Sequence, residues 1–252
     1  MNKKRIIARI DVKNEFAIKG IHLEGLRKVG DPNTMATKYY LQGVDEIVFM
    51  DAVAAYYDRN SLSDLIEQAT ENVYVPITVG GGIRTIDDIS KALKSGADKV
   101  AINTQAVRNP EFISKAASIF GAQCIVASIE AKRVADAKWE VYVENGREPM
   151  GLDVVEWAEK LEKLGAGEIM LTSIDMEGTK KGFDECLISA VSSKISVPLI
   201  VCGGAGNSSH IESVLSNQNV DAVALASVLH YDLLQLDTLK KNLVDKNIEV
   251  RV

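Results

Sequence analysis

Short apolar runs, rich in β-branched residues, recur along this chain. Each is followed by a longer stretch whose apolar positions return with helical spacing. The runs fall at residues 5–11, 46–51, 73–79, 99–103, 124–130, 168–173, 197–202 and 222–226. The amphipathic stretches fall at about 33–42, 61–70, 85–96, 110–120, 152–164, 184–193, from 208, and 236–245. Unbroken apolar runs suit strands buried on both faces, and strict strand–helix alternation points to a parallel sheet. The pattern therefore predicts an α/β protein, a single (βα)8 TIM barrel over residues 1–252. An open, doubly wound sheet is the other arrangement this alternation permits. Two segments stand outside the alternation. Residues 13–32 read as a long polar and glycine-rich loop carrying Lys19, Gly20 and His22, longer than a compact domain keeps without a function. Residues 133–150 read as a charged excursion with a hairpin around Glu144-Asn145-Gly146.

The pattern also repeats. Gly43-Val44-Asp45-Glu46-Ile47 matches Gly165-Ala166-Gly167-Glu168-Ile169, and Pro76 to Gly82 matches Pro198 to Gly204. Asp98-Lys99-Val100-Ala101 matches Asp221-Ala222-Val223-Ala224. Asp51 matches Asp175, and Asp11 matches Glu130. Two homologous half-barrels, about 1–122 and 123–252, account for all of these. The glycine loops at Val79-Gly80-Gly81-Gly82 and Val201-Cys202-Gly203-Gly204 each close a strand and precede a helix, an arrangement that suits a phosphate. Gly82, Asn103 and Thr104 would form one cradle. Gly178, Gly204, Ala226 and Ser227 would form the other. A small molecule with a phosphate at each end would span the two. Glycines that serve only as turn residues are the alternative.

Composition narrows the classes. The chain has 252 residues, 46% hydrophobic and 25% charged, and a net charge of −6, which argues against a general nucleic-acid binder. No run is long enough to span a membrane, and the start does not read as a signal peptide, so a soluble cytoplasmic protein is expected. The three cysteines lack metal-ligand spacing, and Cys124 and Cys202 lie in apolar runs that predict buried thiols. No metal site is expected. Asp11 and Glu130 close the first and fifth strands, which face each other across an eight-stranded barrel. Two carboxylates flanking one substrate can divide acid and base roles if their surroundings differ. Ion pairs to Lys13 and Lys132 are the plainer alternative. Asp51, Asp175 and Glu177 are weaker candidates, suited to holding loops or binding hydroxyls. His230 reads as structural.

Taken together, Asp11-Val12-Lys13, Lys19-Gly20, Gly30-Asp31-Pro32, Val79-Gly80-Gly81-Gly82-Ile83-Arg84-Thr85, Leu171-Thr172-Ser173-Ile174-Asp175 and Gly203-Gly204-Ala205-Gly206 resemble the cyclase subunit of imidazole glycerol phosphate synthase, the HisF family. The resemblance runs from Arg5 to Val252. It implies a lyase of histidine biosynthesis that takes ammonia from a glutaminase partner and needs no cofactor. Its substrate would be a ribulosyl formimino aminoimidazole carboxamide nucleotide with two phosphates. The products would be imidazole glycerol phosphate and an aminoimidazole carboxamide ribonucleotide. Asp11 and Glu130 would be catalytic. Lys19, Gly82, Asn103, Thr104, Asp175, Glu177, Gly178, Gly204, Ala226 and Ser227 would hold the substrate. Arg5, Glu46, Lys99 and Glu168 would ring the ammonia entrance at the N-terminal face. Asp98 and Gln123 would face the glutaminase in a heterodimer.

The chain departs from the family pattern in places. Glu130 and Glu177 stand where the family has Asp, and Arg9 where it has a small or apolar residue. By strand alternation Arg9 shares the interior with Asp11, where its charge would lower the carboxyl pKa. It could also grip the acid group of a different substrate. The segment Ala52-Val53-Ala54-Ala55-Tyr56-Tyr57 is less polar than the family's. Two other functions are thus carried alongside the cyclase. One is a divergent paralogue that supplies ammonia, with a glutaminase, for amidination of a surface-polysaccharide sugar. The other is a non-catalytic scaffold of the glutaminase.

Overall fold

In a computed structural model, residues 3–52 and 62–251 are described. Eight parallel strands close on themselves. Around the barrel they are β1 (Arg5–Lys13), β4 (Glu46–Asp51), β5 (Ile77–Gly80), β6 (Lys99–Ile102), β7 (Ile125–Ala135), β10 (Glu168–Ser173), β11 (Leu199–Cys202) and β12 (Ala222–Leu225). Pairing of β12 with β1 and of β7 with β10 leaves no edge, so the barrel holds and the open sheet falls away. Period-two alternation sorts the side chains. Ile6, Ala8 and Ile10 pack outward into the layer shared with the helices. Ile7, Val48, Ala101, Val126, Met170, Ile200, Cys202, Ala222 and Ala224 fill the interior.

Helices cover the outside of the barrel, several of them with an apolar stripe and a side-chain cap. They are α1 (Pro32–Leu41), α2 (Leu62–Thr70), α3 (Ile86–Lys94), α4 (Thr104–Arg108), α5 (Glu111–Phe120), α6 (Val154–Lys163), α7 (Glu185–Ser192), α8 (Ser208–Leu215), α9 (Ser227–His230) and α10 (Leu236–Asp245). In α6, Val154, Trp157, Ala158 and Leu161 recur at helical spacing and are buried, while Asp153 caps the first turn. Thr85 and Asp88 form a reciprocal capping box on α3. At the bottom of the barrel one device recurs. The carboxylates of Asp45, Asp98 and Asp221 accept the main-chain N–H of Ile6, Ile77 and Leu199, tying each strand to its neighbour.

Two expectations change. Residues 13–32 are not a loop. β1 runs on past the barrel to Lys13 and pairs with β2 (Phe16–Ile21), which pairs with β3 (Glu24–Gly30). The polar side chains hid the strands because most of β3 and both ends of β2 face water. The expected third strand at 73–79 shrinks to Ile77–Gly80. The 133–150 excursion does form a hairpin around Glu144-Asn145-Gly146, between β8 (Lys138–Val143) and β9 (Glu148–Asp153). It is extended by a second turn that joins β7 to β8. Glu144 and Asn145 both take positive φ, which places Gly146 at the turn's end. The element order now reads twice: strand, two-stranded excursion, helix, then three more strands with their helices, the last followed by a short helix (α4 or α9) and a longer one. Residues 53–57, part of the less polar segment, lie outside the described residues. Of the cysteines expected to be buried, Cys202 is, while Cys124 is half-buried.

Candidate active site

The residues that open β1, β4, β6 and β10 meet at the N-terminal end of the barrel. Arg5 Nη1 donates to Glu46 Oε1 and Glu168 Oε1, both at 2.8 Å. Lys99 Nζ donates to Glu46 Oε2 at 3.1 Å and Glu168 Oε2 at 2.9 Å. Two cations and two anions thus close a four-membered ring beneath the apolar interior. Asp98, beside it, spends its carboxylate on Ile77 N–H, and Gln123 is exposed at the 3-10 turn before β7.

At the opposite end stand the paired carboxylates. Asp11 on β1 and Glu130 on β7 are both buried and come from opposite sides of the barrel. Arg9 lies in the barrel interior and is buried with them. Its Nε donates to Asp11 Oδ1 at 2.8 Å and its Nη1 to Thr172 Oγ1 at 2.9 Å, which spans the interior from β1 to β10. Lys19, carried in by β2, lies 3.9 Å from Asp11 Oδ2 and binds the Glu177 carboxylate directly. The two acids consequently differ. Burial pushes the Asp11 carboxyl up, but the charges of Arg9 and Lys19 and the Arg9 hydrogen bond outweigh it and hold the group below its usual range. Burial pushes Glu130 up to about 7, only partly opposed by Arg9 and by the Gly146 N–H that its Oε2 accepts at 2.8 Å. The extra methylene of glutamate carries Glu130 to that turn. At neutral pH one acid is an anion and the other holds a proton for part of the time.

Glycine loops flank the acids. Gly81 and Gly82 have positive φ and line a cavity with Asn103, Thr104, Arg108, Glu130 and Glu144. Asn103 Nδ2 donates to Tyr142 O at 3.2 Å, and its Oδ1 is buried with no partner among the described residues. Across the mouth, Lys19, Gly20, Gly178, Lys180 and Ser227 line a second hollow. Gly203 and Gly204, both at positive φ, follow β11, and Ala226 is the N-cap residue of α9. Among the expected substrate residues, Asp175 is turned elsewhere: its Oδ2 accepts Arg133 N–H at 2.8 Å and holds the end of β7. His230 stacks on Tyr39 and shares a hydrogen bond with its hydroxyl at 2.8 Å. Burial and Lys19 lower the His230 pKa to about 4, so the ring is neutral.

Thr172, Arg108, Glu144 and Gly146 enter the site without having been expected there from sequence. Thr172 had a signal, since it shares the inward parity of Glu168 and Met170. Glu144 and Gly146 had none, because only the excursion's fold brings them over the mouth, and Arg108 lies at the end of α4.

The model for the family described as histidine biosynthesis protein matches residues 5–235. Among curated relatives, the imidazole glycerol phosphate synthase subunit HisF of Legionella pneumophila is 58% identical over 206 residues, covering 82% of this chain and 97% of that protein. HisF proteins of Bacillus cereus strains G9842 and Q1 are 46% and 45% identical over the full length of both chains. No helix among the described residues is long and apolar enough to cross a membrane. A duplicated run of strands and helices, closed into one barrel with acids at its mouth, thus agrees with the sequence matches: the chain belongs to the histidine biosynthesis protein family, together with the HisF proteins.

Proposed function

We propose that this chain is the cyclase subunit of an imidazole glycerol phosphate synthase. It takes ammonia from a glutaminase partner docked at the N-terminal face and converts the bisphosphorylated formimino nucleotide to imidazole glycerol phosphate and the aminoimidazole carboxamide ribonucleotide. The observation that carries this reading is the split between Asp11 and Glu130. Asp11, kept anionic by Arg9 and Lys19, is the base that removes a proton from the attacking nitrogen. Glu130, with its pKa at about 7, is the acid that returns one to the leaving nitrogen. The two glycine loops hold the substrate's ends. The Arg5–Glu46–Lys99–Glu168 ring lies on the barrel axis below, where a small neutral amine would enter.

A second reading has its own support. Arg9 fills the interior directly under the acids and engages Asp11. That suits a divergent paralogue which passes ammonia to another acceptor. Turnover of the bisphosphorylated nucleotide by the isolated chain, with ammonium salt in place of a partner, decides between them. Turnover establishes the cyclase. An inert chain that still supports amidination when a glutaminase and a sugar-modifying enzyme are supplied establishes the second reading.

A further inference from the structure

Two strained turns meet beside Glu130. The first joins β2 to β3, where His22 and Leu23 take φ of +53° and +63° between the paired residues Ile21 and Glu24. Such a turn ordinarily carries Asn-Gly, and a leucine in it is strained. The second joins β8 to β9, with positive φ at Glu144, Asn145 and Gly146. A side chain at the tip of an excursion would be expected to face water, yet Leu23 is only 4% exposed. It lies against the second turn: a Cβ placed on Gly146 would be 3.0 Å from Leu23 Cδ1 and 3.3 Å from Ile174 Cδ1. Asn145 Nδ2 donates to Leu23 O at 3.4 Å. The loop after β10 anchors the first turn from its other side. His22 N–H donates to Glu177 O at 2.8 Å. His22 Nδ1 lies 3.0 Å from Ile174 O, a carbonyl that can only accept, so this nitrogen carries the proton. Gly146 in turn donates its N–H to Glu130 Oε2 at 2.8 Å. A run of contacts thus leads from Leu23 through Gly146 to the acid.

We propose that Leu23 and Asn145 are positioning residues for the acid: by fastening the β2–β3 turn onto the β8–β9 turn they hold the Gly146 N–H on Glu130 and keep water away from its carboxyl. The inference deepens the reading of Glu130 as the proton donor and rests on it. Unfavourable backbone persists only where its surroundings over-determine it. Here each turn supplies surroundings for the other. The charges that act on Glu130 come from elsewhere. They are Arg9 and Asp11 on β1 and Glu144 in the second turn, which Arg108 pairs. Lys19, on β2, is engaged with Glu177 and Asp11, and Lys132, on Glu130's own strand, faces the Tyr142 ring. His22 is turned to Ile174 O. Leu23 brings no charge, so it acts on Glu130 only through solvation and through the Gly146 hydrogen bond. Burial is the larger of these two influences and raises the carboxyl pKa, while the hydrogen bond lowers it. Releasing the turns admits water, and the net shift is downward.

The test is a carbon NMR titration of the full chain labelled at its glutamate carboxyls, with the Glu130 signal assigned by its absence in Glu130→Gln. Leu23→Asn suits the positive φ of the turn and removes the apolar contact. Leu23→Met keeps that contact. Asn145→Gly keeps the backbone and removes the amide. The Glu130 midpoint, about 7 in the wild type, is expected to fall by about one pH unit or more in Leu23→Asn. It falls by less in Asn145→Gly and stays at the wild-type position in Leu23→Met. A midpoint in Leu23→Asn that is unchanged or raised, or an equal fall in Leu23→Met, overturns the inference. Should Leu23→Asn not fold, as judged by circular dichroism, Asn145→Gly decides alone, and an unchanged midpoint there overturns it. The titration needs no substrate. If nucleotide turnover is absent while the midpoint moves, the cyclase reading fails and the placement of Glu130 by the two turns stands.

Discussion

Replacing Arg9 with methionine removes a buried cation while keeping most of its length. The wild-type guanidinium donates to Asp11 at 2.8 Å and to Thr172 at 2.9 Å from a position only 4% exposed. Breaking one partner out of a buried pair leaves an uncompensated charge and costs about 3–5 kcal/mol. Lys19, 3.9 Å from the other Asp11 oxygen, offsets part of this, so about 3 kcal/mol is expected. For a domain of this size that corresponds to a melting point lower by about 6–12 °C. The second consequence is chemical. Arg9 lowers the pKa of both acids, and without it both rise. If Asp11 must be ionised and Glu130 protonated, kcat/KM for the nucleotide rises with pH on the Asp11 limb and falls near pH 7 on the Glu130 limb. In Arg9→Met both limbs move to higher pH, the Asp11 limb by about one to three units. The assay is the pH dependence of ammonium-driven turnover, beside calorimetric melting. A melting point within about 1 °C of wild type, or limbs that do not move, would refute the account of Arg9 as the group that sets the two acids.

Two further outcomes follow from the geometry. The Glu130 pKa is raised from the ordinary 4.5 to about 7, so its neutral form favours the fold. That contribution is complete below about pH 4.5 and is lost as pH rises through 7. At about 1.4 kcal/mol per pH unit it amounts to roughly 3 kcal/mol. Glu130→Gln, which cannot ionise, should therefore show a smaller loss of stability to chemical denaturant between pH 5 and 8, and turnover reduced at least about 100-fold. Wild type and variant with the same pH dependence would contradict the assignment. Gly204 takes φ +108°, and a side chain there would run into the Gly182 carbonyl. Gly204→Ala should lower the melting point by about 5 °C or more, and an unchanged melt would show that this loop yields.

Most of the barrel is legible along the chain. Its strands are buried on both faces, so they are continuous apolar runs such as Glu46 to Asp51. Its helices carry one buried stripe and visible caps, as at Thr85 and Asp153. The inward parity of Arg5, Ile7, Arg9 and Asp11 follows from period-two alternation alone, which is why Arg9 could be placed beside Asp11 from sequence. The excursions were less legible. Much of β3 and β9 faces solvent, and an exposed strand has no apolar period to betray it.

Local pattern thus determined the eight strand–helix units and which residues point inward, because each depends on neighbours a few positions away, while closure of the sheet rests on pairing between β12 and β1, strands far apart in sequence. The tertiary structure alone decided what those residues touch. Gly146 caps Glu130 from 16 positions along the chain, and Thr172 holds Arg9 from 163 positions away. Arg108 finds Glu144 only because β8 and β9 fold over the mouth. Burial and charge at such contacts are sums over groups far apart in sequence, so the pKa split between the two acids could be settled only in three dimensions.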